Sequence, residues 1–508
     1  MGLHRQAAAR QLVRGLHRFA PPRAGARRQR GTGHLARRGA RRCGAHCGDP
    51  RPDVSQRVVV LGGGPAGDVA ALRAAQLGAQ TTLIERAELG GTCLNWGCIP
   101  TKSLLAGADL LRKIRNAADF GIKVPEPVID FPRMMQRKEE NVLKMRNGVS
   151  AACKRHKVDV VRAQGIVDGD AVAAGGARYE YDHLIVCTGT EPSGLPDVDM
   201  EHPCVVTSNG ILRLEKLPEH LLVIGGGVVG CEFASLFIAL GARVTVVEML
   251  PQILAGVDSR IVQQFRRFVE KEGIVFYAGR TLASVDYTER SVTAHLDDGT
   301  NIDADLMLIS VGRRAQTRGI GLEDAGVVVD ERDHVVVDEM LQTANPHIWG
   351  AGDCIGGLQL AHLGSAEGGR AVENALQHTV MPMDRTVVPS CIYTHPEIAM
   401  VGHNPETAKQ AGIDVKTGQA RYLGNGKALG EGEPDGIAQL YANATTDQLV
   451  GATVMGVHAV EIIHEVGVAI SDGLTMDDLG AVIHAHPTVS ELIMDSAEQG
   501  EGVAPYLS

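Results

Sequence analysis

The segment GGTCLNWGCIPTK, Gly90 to Lys102, carries two cysteines five positions apart, Cys93 and Cys98, in a glycine-rich stretch. Thiols so close can bind a metal, staple a loop, or open and close as a redox disulfide. A structural zinc site wants four ligands, and no second Cys or His pair lies nearby in sequence. Ten cysteines in 508 residues make no disulfide framework, and no secretory signal precedes the first strand. The expected setting is therefore intracellular, where a disulfide is more often catalytic than structural. Redox work or two plain thiols remain, and geometry favours redox work. Residues five apart on a regular helix point about 140° away from each other, so bridging needs a distorted turn. Gly97 permits one, and Pro100 suits the start of the regular helix that follows. Thiols near a helix N-terminus ionise more readily. Lys102, four residues after Cys98 on the same face, can set a positive charge beside a thiolate.

The element that must position these thiols comes just before them. RVVVLGGGPAGDVAALRAAQLGAQTTLIE reads as a buried strand, the turn Gly62-x-Gly64-x-x-Gly67, an Ala/Leu-rich helix, and a second strand ending in Glu85. That is a dinucleotide-binding fingerprint in its required context. The first glycine permits the tight turn, the second lets the backbone approach a pyrophosphate, and the third lets helix pack on sheet. The terminal acid accepts hydrogen bonds from ribose hydroxyls. HLLVIGGGVVGCEFASLFIALGARVTVVE repeats the pattern with Gly225, Gly227, Gly230 and Glu248, at one constant offset that Gly78 and Gly241 also keep. One such motif is weak, but two in matching register predict two bound dinucleotides. Glu248 repels a 2′-phosphate and no arginine follows it until Arg260, which predicts NAD rather than NADP at the second site. A flavin at the first site could exchange electrons with both the nicotinamide and the sulfurs.

The length suits roughly three domains, and the hydrophobic share of 44% suits a substantial core. No uncharged apolar run is long enough for a membrane helix, and a net charge of −10 argues against nucleic acid as partner of the whole chain. Residues 1–55 differ from the rest. No acid or lysine precedes Asp49, and arginines stand in a Gly/Ala/Pro background that cannot bury enough surface to fold. A mitochondrial transit peptide would also be Ser-rich, and no serine precedes Ser55. A nucleic-acid-binding arm fits by charge alone. The plainest reading is an incidental extension. CGAHC (Cys43, His46, Cys47) lacks a fourth metal ligand, and no metal site is expected.

From Arg57 onward the chain resembles the flavoprotein pyridine nucleotide-disulfide oxidoreductases, and within them the dihydrolipoyl dehydrogenases. The cysteine segment carries the resemblance first. CTGTEP (Cys187 to Pro192), GAGDC with Asp353, LAHLGSAEG, YTHPEIAMVG (Tyr393 to Gly402) and HAHPTVSE come after it in family order. The resemblance implies an α/β fold of two Rossmann-like FAD- and NAD-binding domains plus a C-terminal α+β dimerisation domain. The expected spans are 56–190 for the first part of the FAD domain and 191–315 for the NAD domain. A central domain with the return to the FAD domain is expected over 316–385, and the interface domain over 386–508.

The resemblance also implies a catalytic set: redox partners Cys93 and Cys98, base His486 with its orienting carboxylate Glu491, and Lys102 paired with Glu232. Alone, His486 could be a packed core histidine, Glu491 could close a capping box with Thr488, and Glu232 could be one more polar helix residue. FAD would be held by Gly62, Gly64, Gly67, Glu85, Gly91, Thr92, Lys102, Gly165, Thr188, Gly189, Asp353 and Ala361. NAD would be held by Gly225, Gly227, Gly230, Glu248 and Gly312. Two departures stand out: Asp68 adds a negative charge near the pyrophosphate, acceptable at a helix N-terminus, and Cys187 replaces a more usual alanine. The implied activity is NAD-dependent reoxidation of protein-bound dihydrolipoamide. The implied molecule is a cytoplasmic homodimer, or one of the mitochondrial matrix if the extension is a transit peptide. No lipoyl domain precedes the flavin domain, so the lipoyl group is expected on another protein. The alternatives are a family member acting on another disulfide and a non-catalytic flavoprotein scaffold.

Overall fold

The computed structural model describes residues 56–503; the Arg-rich extension and CGAHC lie outside them. Arg57–Leu61, apolar after its first residue, is the middle strand of a five-stranded parallel sheet. Gln80–Glu85 and Asp159–Arg162 lie on one side, His183–Val186 and Ile348–Gly350 on the other. His220–Ile224 occupies the same place in a second parallel sheet. Arg243–Glu248 and Val275–Ala278 lie on one side of it, Leu306–Ile309 and Val205–Thr207 on the other. In both sheets strand order reverses at the fingerprint strand, the switch point where open α/β sheets bind ligands. Each half also inserts a three-stranded antiparallel sheet, Gly165 to Glu180 in one and Leu282 to Ala304 in the other. The sequence repeat is thus a repeat of whole folding units.

Glycine is required at two equivalent turns. Gly62 and Gly225 both hold φ +105°, and a Cβ on Gly67 or Gly230 would fall 1.8 or 2.0 Å from the carbonyl oxygen of Gly62 or Gly225. No side chain fits, because the helices Pro65–Gln76 and Val228–Ala239 start directly against their strands.

The halves are joined by a two-stranded antiparallel ribbon, Thr190–Pro192 with Arg313–Ala315. Beyond it Ile320, Leu322 and Val327 share one core with Val59, Leu61, Val167 and Leu184. Apolar residues of 316–385 thus share the core of the first unit. They complete the first unit, with Ile348–Gly350 as its edge strand and Ala361–Ala375 packed on Pro65–Gln76. The last part is a five-stranded antiparallel sheet running from Ser390–Ile392 at one edge to Val415–Arg421 at the other. Helices Ala459–Asp472 and Glu491–Gly500 cover it, with Val454, Ile463, Val466 and Ile493 in its core.

One residue departs from its expected state. Asp68, in the first turn of Pro65–Gln76, is only 8% exposed and its Oδ1 has no partner. Burial first, and then the Glu85 carboxylate, push its carboxyl up to about 8, against one hydrogen bond from the Gly90 backbone. Cys153 on the helix Phe131–Arg155 and Cys187 after His183–Val186 also face it, and burial pushes both thiols up. Burial thus favours the neutral form of Asp68 at pH 7 over the extra charge the sequence implies. An acid whose folded pKa exceeds its unfolded value costs stability as pH rises. The cost starts near the unfolded pKa of about 4 and is complete above the folded one. Asp68→Asn should therefore stabilise the protein by up to about 5 kcal/mol at pH 8 in denaturant titrations, the gain vanishing towards pH 4. A gain that stays constant over that range contradicts a neutral Asp68.

Candidate active site

Cys93 lies in the short helix Gly91–Trp96, and Cys98 opens the long helix Cys98–Arg115. Gly97 between them takes φ −144°, ψ −111°, breaking the helix where the spacing requires it. The regular helix begins two residues before Pro100. Proline fits there because the first four amides of a helix have no intrahelical acceptor. Both cysteines are free thiols, and each acts on the other's ionisation. The bond Cys93 donates lowers the Cys98 thiol to about 7; burial opposes the shift and Lys102 assists it. The Cys93 thiol, the donor of that bond and buried as well, is pushed up. One thiol is ready to ionise while its neighbour keeps its proton.

Lys102 Nζ lies 2.9 and 2.8 Å from the two carboxylate oxygens of Glu232 and 4.4 Å from the centroid of the Tyr393 ring. Glu232, 5% exposed, also accepts the Tyr393 N–H at 3.0 Å. It is no spare polar residue: three distant parts of the chain meet at one buried carboxylate.

These groups open on a cavity of about 1220 Å³. One end is the first fingerprint turn, with Gly62, Gly64 and Glu85, and Gly91 and Thr92 beside it. Its wall includes Gly165, Thr188 and Gly189, then Asp353 and Ala361. Cys93, Cys98, Lys102 and Glu232 line it too. Gly67 stays outside, in the helix–strand contact. The donor set fits an extended dinucleotide. Glycines bare the backbone at the turn, and a Cβ on Gly91 would fall 2.5 Å from Gly64 Cα. The Glu85 carboxylate is aimed by the amides of Gly63 and Ala87, at 2.6 and 2.7 Å.

The second fingerprint copies that geometry. Glu248 takes the amides of Gly226 and Leu250 at 2.7 and 2.8 Å. Gly225, Gly227, Gly230 and Glu248 lie outside the large cavity, at the carboxyl edge of the second sheet. Gly312 lies there as well, near Ser310, whose hydroxyl donates to the Gly225 carbonyl at 2.9 Å. Arg280, whose amide bonds the Glu248 carbonyl, turns its guanidinium to Asp298 at 2.7 Å.

His486 Nδ1 lies 2.9 Å from Glu491 Oε1, and Glu491 Oε2 accepts the Thr488 N–H at 2.8 Å. Although burial acts the other way, these bonds hold the Glu491 carboxyl below its usual range. Glu491 is the first residue of its helix, not the third, so it closes no capping box. The His486 side chain is 78% exposed, so it is no core histidine. It does not line the cysteine cavity of its own chain. Three contributors escaped the sequence reading: Tyr393, Thr190 and Arg313. Thr190 donates to Asp353 at 2.8 Å, and Arg313 donates to Thr190 at 2.7 Å. Thr190 and Tyr393 lie in segments that carry the resemblance, CTGTEP and YTHPEIAMVG, but drew no role there; the signal for Arg313 was a basic pair directly after Gly312, which spacing alone cannot interpret.

Comparison with known proteins agrees with this geometry. Residues 56–368 match the pyridine nucleotide-disulphide oxidoreductase family, and residues 388–497 match its dimerisation domain. The dihydrolipoyl dehydrogenase of Chlamydia muridarum is 40% identical over 445 residues, 86% of this chain and 95% of that one. That of Bacillus subtilis is 39% identical over 466 residues, 88% and 98% of the two chains. Among solved structures, LpdA from Mycobacterium tuberculosis superposes with TM-score 0.81 at 28% identity, over 87% of this chain and 99% of that one. The HOCl-induced flavoprotein disulfide reductase RclA from Escherichia coli gives 0.80 at 29%, with the same coverage. With its thiols, ion pair and two fingerprints in the places described, the chain belongs to the pyridine nucleotide-disulphide oxidoreductases.

Proposed function

We propose that the protein reoxidises dihydrolipoamide carried by another protein, delivering the electrons to NAD⁺. The chain is a flavoprotein disulfide oxidoreductase of the FAD- and NAD-using type. The observation that carries the finer reading is the pair of unlike thiols beside the Lys102–Glu232 ion pair, in the cavity headed by the first fingerprint. The names of its relatives support the substrate.

In the oxidised enzyme Cys93 and Cys98 form a disulfide. One substrate thiolate attacks the Cys93 sulfur and Cys98 leaves, because the thiol of lower pKa is the better leaving group. The second substrate thiol then attacks the mixed disulfide, forming the substrate's ring disulfide and releasing Cys93. His486, held by Glu491, takes the proton that the substrate dithiol gives up and returns one to Cys93. Two protons leave the substrate: one stays on Cys93, the other passes by way of His486 to solvent, and Cys98 remains a thiolate beside Lys102. FAD, when bound among the fingerprint glycines, Thr188 and Asp353, supplies the two-electron carrier between Cys98 and NAD⁺. Glu248 selects that nucleotide by repelling a 2′-phosphate.

The exposed His486–Glu491 pair makes sense in a dimer, where the partner subunit's His486 faces these cysteines. The dimerisation-domain match supports such a homodimer. Bacterial relatives support the cytoplasm as its location, and no helix among the described residues is long and apolar enough to cross a membrane.

Purified protein should oxidise dihydrolipoamide with NAD⁺ and far more slowly with NADP⁺. Failure with dihydrolipoamide, or equal use of NADP⁺, contradicts the assignment. Coexpressed Cys98→Ser and His486→Ala chains test the shared site. Dimers of either variant alone should be nearly inactive, whereas a mixed dimer gathers both lesions in one site and leaves the other intact. Random pairing makes about half the dimers mixed, so roughly a quarter of wild-type activity should return. No recovery, despite proven subunit exchange, excludes a site shared between subunits.

A further inference from the structure

Arg313 lies in the ribbon that joins the two halves, a place with no obvious part in thiol chemistry. Side chains alternate sides along a strand, and both arginines border the cysteine cavity, but at different depths. Arg314 is exposed and pairs with Glu191 at 2.6 Å, while Arg313 is half-buried. Its Nε donates to Thr190 Oγ1 at 2.7 Å and one Nη donates to the Thr190 carbonyl at 2.8 Å. The same Nη reaches Thr92 Oγ1, next to Cys93, at 3.5 Å. Thr190 Oγ1 passes the interaction on by donating its proton to Asp353 Oδ2 at 2.8 Å. A guanidinium, a hydroxyl and a carboxylate thus form one chain along the cavity wall. Burial disfavours the charge on Arg313, and the groups that offset this are Asp353 first and then Cys98.

We infer that Arg313 is a positioning residue of the reaction site, acting in two ways. Through Thr190 it fixes the Asp353 carboxylate, and by its own charge it joins Lys102 in favouring the Cys98 thiolate. The inference rests on the proposed function, because it takes Asp353 to hold FAD and Cys98 to work as a thiolate. The two actions are separable. The fork that grips Thr190 needs a guanidinium, since lysine offers one point charge and no planar pair of donors. The field at Cys98 needs only a positive charge. Thr190 serves the first action and contributes no charge to the second.

Two readouts separate them: the rate at which FAD leaves the protein, and the pH dependence of the thiolate–flavin long-wavelength absorbance after two-electron reduction. Arg313→Met should release FAD about tenfold faster, the scale of one lost charged hydrogen bond, and should move the thiolate titration upward. Arg313→Lys should release FAD faster while leaving the titration nearly in place. Thr190→Val, a mild change that tests the chain without touching the charge, should behave like Arg313→Lys. Variants that lower thermal stability but move neither readout would overturn the inference. So would a Thr190→Val variant that moves the titration as far as Arg313→Met. A wild-type protein that holds no FAD would overturn the proposed function as well; once wild type holds it, the variants bear on Arg313 alone.

Discussion

The ion pair of Lys102 with Glu232 is the contact on which the rest of the site depends. Lys102 stands on the cysteine helix, Glu232 on the helix of the second fingerprint, and the Tyr393 amide that completes the carboxylate comes from the last unit. A buried carboxylate is tolerable only when paired and hydrogen-bonded, and removing one partner of such a pair typically costs about 3–5 kcal/mol. The pair therefore ties three parts of the chain together and fixes a cation near Cys98. Holding a cation in place through a buried carboxylate is a stricter arrangement than leaving a flexible lysine at the surface, and it keeps the charge where the thiolate forms.

The duplication explains how a second nucleotide reaches the same region. Both sheets place their fingerprint strand at the switch of strand order, and both aim a terminal glutamate with two backbone amides. Only the first copy opens on the cysteines, because the cysteine helix comes directly after its second strand. The second copy contributes Glu232 from the helix that carries its phosphate turn. One repeated geometry thus does two jobs, and the two copies differ in the segment attached to the end of the second strand.

Much of this was legible in the sequence, for physical reasons. Gly62, Gly67, Gly225 and Gly230 are dictated by backbone sterics, and the five-residue spacing of Cys93 and Cys98 by helix geometry. Such local rules survive folding. The features that were not legible depend on burial and on distant neighbours. Asp68 reads as an ordinary helix-start acid until folding buries it beside Glu85, Cys153 and Cys187. The span 316–385 is expected to hold a central domain and the return to the FAD domain, and only packing shows which of its residues, Ile320, Leu322 and Val327 among them, join the first core. Arg313 and Thr190 lie 123 positions apart, and no spacing rule predicts their contact. His486 was legible by type, but its exposure has meaning only when a second subunit is considered.

The central claim is that the cation held by Glu232, added to the hydrogen bond from Cys93, makes Cys98 the thiol that ionises. The direct measurement is the thiolate absorbance of reduced protein against pH, taken as the difference from a Cys98→Ser variant, with and without Lys102→Met. In wild type the Cys98 titration should lie below the ordinary thiol range, lowered by the Cys93 hydrogen bond and Lys102. Losing Lys102 leaves Glu232 unpaired and leaves the Cys93 hydrogen bond alone against burial, so the titration should move up by about one unit or more. A Cys98 titration that stays put without Lys102 contradicts the account.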